Sequence, residues 1–162
     1  MGVTLMLEMP ELLEFNGVWN SYINKVYHEF QMSFLNAGIR FRGLPVQPRY
    51  TPEYDGKEFG FWHLTSEGEK EEERTPDLER CARIRWISFM IQHHESEHLS
   101  CWEERKGSNS EIVIWHEAEN YVVVLAARRD YWLLKTAYVV NRSGKRRQLI
   151  NSRCRSQAAK KS

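Results

Sequence analysis

Between Cys101 and Val140 the chain is a succession of short runs rich in Val, Ile, Tyr and Trp: "CWEER", "EIVIWHEA", "YVVVLAARR" and "YWLLKTAYVV". They are separated by "KGSNS", "EAEN" and "RRD", and connectors this short join only antiparallel neighbours. An antiparallel meander over about residues 100–140 is therefore predicted. "YVVVLAA" has no polar side, so it belongs at the centre of the sheet with a helix covering at least one face.

Upstream, Leu12, Phe15, Trp19, Ile23, Val26, Tyr27, Phe30 and Phe34 recur at spacings of three and four, which predicts an amphipathic helix over about 11–36. Prolines, an Asp55-Gly56 turn and the alternation Phe59, Phe61, His63, Thr65 predict a hairpin over about 43–66. After the acidic loop "EGEKEEERTPD", Thr75 before Pro76 reads as the N-cap of a helix over about 76–93. The fold class is α+β: N-terminal helices, then a twisted antiparallel sheet of about four to six strands with one further helix packed on it.

A chain of 162 residues, 41% apolar and 12% aromatic, suffices for one core, so residues 1–141 read as a single domain. Residues 142–162 hold eight Lys or Arg and no acid, leaving 15 of the 23 basic residues against all 22 acidic ones. The net charge of +1 is thus a body of −7 with a basic tail, read as a partly disordered arm that meets phosphates or an acidic partner. No apolar run suits a membrane span and the first residues lack the pattern of a signal peptide, so a soluble, cytoplasmic protein is expected. Cys81, Cys101 and Cys154 are widely spaced and odd in number, as reduced thiols would be.

"HESEH" at His94–His98 fits H-E-x-x-H, in which one helix turn presents two zinc-binding imidazoles and Glu95 activates a water. His116, Glu117 or Glu119 would have to supply a third ligand. The charged Glu97, the weak helix former Ser96 and strand-like sequence just beyond place the motif where a helix frays, so a zinc hydrolase is the weaker reading and surface histidines the stronger.

A second constellation carries more chemistry. On strands that should be core, His63, Thr65 and Ser66 stand near one end, and Lys135, Thr136 and Tyr138 lie together on the last strand. If these faces meet, the set offers a general acid/base in His63. It also offers hydroxyls in Thr65, Ser66, Thr136 and Tyr138, and cations in Lys135 and Arg128. That inventory suits RNA cleavage by 2′-hydroxyl attack without a metal or other cofactor.

The ordered blocks "DGKEFGFWHLTSEG", "RTPDLERCARIRWI", "WEERKG" and "IWHEAENYVVVLAARRDYWLLKTAYVV", followed by a basic run, resemble a family of small proteins of phages and mobile elements grouped with the barnase, EndoU, colicin D and RelE-like nucleases. The likeness covers about residues 40–150. It implies RNA bound on the sheet and cut without a metal by a toxin-like effector, with an inhibitor protein as a further partner. On the matching blocks it favours His63, then Thr65 and Ser66, then Thr136 and Tyr138. Arg74, Arg83, Arg105 and Arg128 are candidate phosphate contacts, and Arg146 and Arg147 extend them into the tail. A second histidine is missing: His116 reads as a solvent-facing strand residue. A non-catalytic RNA-binding or protein-interaction module is the alternative. The acidic body argues against promiscuous RNA binding and for a narrow substrate.

Overall fold

A computed structural model of the chain describes residues 7–68 and 74–161, with side chains to 160. It is α+β. Four strands form the predicted meander, β5 (Ser100–Lys106), β6 (Asn109–His116), β7 (Tyr121–Ala127) and β8 (Trp132–Val139), all antiparallel. A short hairpin, β1 (Arg40–Phe41) and β2 (Leu44–Gln47), extends it, with β2 parallel to β8, giving the order β1-β2-β8-β7-β6-β5. The sheet curls enough for Arg42, in the β1–β2 turn at one edge, to pair with Glu103 on β5 at the other, at 3.1 Å.

β7 is buried along its length because both faces of the sheet are covered. One face packs on α1 (Trp19–Phe30), α2 (Phe59–Thr65), α3 (Leu78–Ala82) and α4 (Ile84–Gln92), with Ile112, Ile114, Val123, Leu125, Leu134 and Ala137 meeting Val26, Phe30, Phe61, Ile84 and Ile87. The other face carries Trp102, Val113, Trp115, Val122 and Val124, and Leu149 and Ile150 of α5 (Ser143–Lys161) lie on it.

Several expectations are corrected. The first helix starts at Trp19 rather than near Glu11, and continues as a π-helical turn, Gln31–Leu35, that stacks Phe34 under Phe30. The hairpin expected over 43–66 is confined to 40–47, and "FGFWHLT" is helix α2. Its alternation coexists with a helical stripe: Gly60, Phe61, Leu64 and Thr65 are the buried positions, and the helical register won because it buries Phe61 and Leu64 together. Gly60 lets the chain pass close there: a Cβ would stand 3.1 Å from both Arg49 N and Arg49 O, tighter than ordinary contact.

Thr75 and Pro76 form strand β4, paired with β3 (Ser66–Glu67), and the helix cap is Asp77, whose carboxylate accepts from the Glu79 and Arg80 amides. The helix expected over 76–93 is two, broken at Arg83. The centre of the acidic loop, residues 69–73, lies outside the described residues.

The basic run is no loose arm. An apolar second face of the sheet demands a cover, and the carboxylates Glu117 and Glu104 at its rim pair with Arg146, Arg153 and Arg155 of α5. Leu149 is 5% exposed in this contact. Leu149→Ala is expected to cost about 2–5 kcal/mol, read as a lower urea midpoint; a loss within experimental error would show that α5 does not bury this side chain in solution.

Candidate functional site

Polar chemistry concentrates where α5 meets the open end of its sheet face. Strand β8 bulges against β7: Val124 pairs with Thr136 and Leu125 with Leu134, leaving Lys135 extra. A bulge turns consecutive side chains to one side, so Lys135 and Thr136 both look toward α5. Lys135 reaches across β7, over the small Ala126, and donates to Glu111 on β6. Lys106 on β5 sits 3.4 Å from the other Glu111 oxygen.

The Glu111 side chain is 8% exposed. Burial works to raise its pKa, but the hydrogen bond and charge of Lys135, with those of Lys106, outweigh it and hold the carboxyl below its ordinary value. The surrounding cleft of about 330 Å³ is lined by Lys106, Glu111, Lys135, Thr136, Tyr138 and, from α5, Lys145 and Arg155 among others. Lys145 Nζ lies 5.1 Å from the Tyr138 ring. Burial pushes the Tyr138 phenol up to about 12, with Arg80 pulling the other way, so it holds its proton at neutral pH.

The other half of the predicted constellation is elsewhere. Thr65 and Ser66 line a separate aromatic cleft with Trp19, Tyr54, Phe59 and Trp62, and the cleft beneath α5 contains none of His63, Thr65 or Ser66. Thr65 is 1% exposed and donates to Phe61 O, and Ser66 donates to Trp62 O at 2.6 Å. The His63 ring lies over Phe59, centroids 6.3 Å apart. Arg74, read as a phosphate contact, donates instead to Ser66 Oγ and to the His63, Ser66 and Gly68 carbonyls. Arg80 joins it on Ser66 O at 2.8 Å. The two guanidinium groups satisfy carbonyls at the end of α2, which a helix terminus leaves orphaned.

Among the remaining candidates, Arg83 donates to Glu79 O and rests over Trp86, and Arg128 donates to Ala127 O in the β7–β8 turn. Arg105 and Arg147 are exposed. Arg146 and Arg153 pair with Glu117 and stand 5.3 and 5.1 Å from the Trp115 ring.

"HESEH" follows the end of α4 rather than riding on it, so His94 and His98 do not share a helix face. His94 Nδ1 lies 2.8 Å from Ile91 O, its ring packs edge-on to Phe41, and no trio of His, Cys, Asp or Glu among the described residues is arranged to hold a metal ion. His116 is not solvent-facing: it is 7% exposed and accepts from the Glu119 amide. Burial lowers its pKa, opposed by Glu119 and aided by His98.

Glu111, Lys106, Lys145 and Arg155 were missed in the sequence, as was Arg80. Their signal was faint: Glu104, Lys106 and Glu111 are charges on the inward register of strands whose other inward residues, Trp102, Val113 and Trp115, are apolar. No described helix is long and apolar enough to cross a membrane. Compared with family models, curated proteins and solved structures, the chain gives no match.

Because its pKa is depressed on folding, Glu111 contributes stability that is complete above the ordinary carboxyl value of 4.5 and is lost as pH falls through the lower folded value. Urea midpoints taken from about pH 7 to about pH 3 should fall more steeply for the wild type than for Glu111→Gln; parallel profiles would show that the lysine clamp does not form.

Proposed function

We propose that this chain acts on RNA as a metal-independent endoribonuclease, through the cleft between the sheet and α5. The observation that carries the reading is the set within that cleft: the carboxylates of Glu111 and Glu104, the hydroxyls of Thr136, Tyr138 and Ser152, and four cations converge on one small space. The resemblance of the sequence blocks to small phage and mobile-element proteins grouped with nucleases supports metal-free RNA cleavage, while the residues it favours first, His63, Thr65 and Ser66, lie outside this cleft.

In the proposed reaction a phosphodiester lies against Lys135, Lys145 and Arg155, whose charges oppose those of the phosphate and of the pentacovalent species. The Glu111 carboxylate takes the 2′-hydroxyl proton and the 2′-oxygen attacks phosphorus. The bond to the 5′-oxygen breaks, and that oxygen takes a proton from the Tyr138 phenol. The products are a 2′,3′-cyclic phosphate and a 5′-hydroxyl end. Thr136 donates to a non-bridging oxygen. His63, outside the cleft, has no part.

A second reading, an RNA-binding module without cleavage, is favoured by one feature: both oxygens of Glu111 are engaged by lysines, which weakens it as a base. Incubation of labelled RNA in EDTA separates the two. Cleavage to cyclic phosphate ends should drop on the order of 10²-fold in Lys135→Ala and in Tyr138→Phe and persist in His63→Ala. Loss in His63→Ala alone would move the chemistry to the α2 side, and binding without cleavage by the wild type would leave the module.

A further inference from the structure

The cleft does not end at Glu111. Glu104, Ser152 and Arg155 line both it and a second recess of about 650 Å³, which runs on under α5 to Arg42, Arg105 and Lys160. From Lys135 on β8 to Glu104 on β5 the floor crosses three strand spacings, about 14 Å, and the second recess continues past the sheet edge. Together the two hold seven cations and three carboxylates, an excess of four on a chain whose total is +1. The cations come in succession from β8, β5, the β1–β2 turn and both ends of α5, so the charge is drawn out along a line.

Resting on the reading that the cleft takes RNA, we propose that this groove is a track for single-stranded RNA, with Arg42, Arg105 and Lys160 forming a distal phosphate subsite several nucleotides from Glu111. The groove is a recess between a helix and a sheet, which admits one flexible strand and excludes a rigid duplex. Apart from the half-buried Tyr138 ring, which Lys145 covers, its walls offer charges rather than stacking surfaces: Trp102 and Trp115 are buried beneath α5. Recognition is accordingly of the backbone, strongly salt-dependent and tolerant of sequence. The Arg42–Glu103 and Arg155–Glu104 pairs, at 3.1 and 3.3 Å, are half-exposed contacts whose arginines can turn to a phosphate at little cost.

The test is fluorescence anisotropy with labelled 2′-O-methyl oligouridine, which has no free 2′-hydroxyl and so is read independently of cleavage. An oligomer of about ten nucleotides should bind roughly tenfold or more tighter than one of about four, and Arg105→Glu/Lys160→Glu should erase that advantage. The same variant should lower the slope of log K on log salt by roughly 0.7 for each phosphate it no longer neutralises. Both substituted residues are exposed, so the variant should keep the wild-type circular dichroism spectrum. Affinity independent of length, an unaffected double variant, equal affinity for a duplex, or equal affinity for polyglutamate would each overturn the track. Cleavage of a short substrate would survive that failure, so the two readings fall separately.

Discussion

The organisation of this protein follows from a sheet that is apolar on both faces. Val122 and Val124 point to one side of β7, Val123 and Leu125 to the other, and all are nearly or fully buried. Leaving either face in water would forfeit about 1.5–3 kcal/mol for each large side chain. The helices upstream of the meander cover one face, and the other must be covered by whatever follows it. That is a segment with eight cations and no acid, whose apolar content is little more than Leu149 and Ile150. Necessity, rather than helix amphipathicity, places α5.

A thin apolar contact leaves the rim of that interface to charge. Exposed ion pairs contribute at most about 1 kcal/mol each, so Arg146, Arg153 and Arg155 orient α5 more than they hold it. The guanidinium groups beside Trp115 add cation–π attraction of about 0.5–2 kcal/mol. Toward the open end of the face the apolar residues run out. There the bulge at Lys135 supplies the countercharge that lets Glu111 be buried ionised, and a carboxylate clamped by lysines is stable only while both cations stay. Structure and proposed chemistry therefore compete for the same groups, which is the tension behind the second reading of the function.

The meander was legible because its signals are local: turn residues at short intervals, β-branched runs between them, and one run with no polar face. The α2 segment was not, because seven residues containing Phe59, Phe61, His63 and Thr65 satisfy both periods, and only the tertiary burial of Phe61 with Leu64 decides between them. The site turns on the same ambiguity, since His63 and Thr65 share a face only on a strand. Thr136, Tyr138 and Lys135 were found together because adjacency on one strand needs no tertiary knowledge. Glu111 needed the register of three strands and a bulge, which no local pattern encodes. The order of the tail is hidden for a related reason: charge density predicts disorder only where nothing apolar awaits cover.

The distribution of charge then acquires a physical meaning. A body of −7 repels polyanions at long range, and the basic segment concentrates its counterweight on one side, against the face with the cleft. Because Arg146 and Arg153 already answer Glu117, the surplus that remains for a ligand lies along the groove and at the exposed Arg147 rather than over the whole helix. A ligand drawn to that surplus must present its own charges in a line, close under α5, while the rest of the molecule turns it away. On the proposed reading, preference for a single strand follows from that arrangement without any residue reading a base.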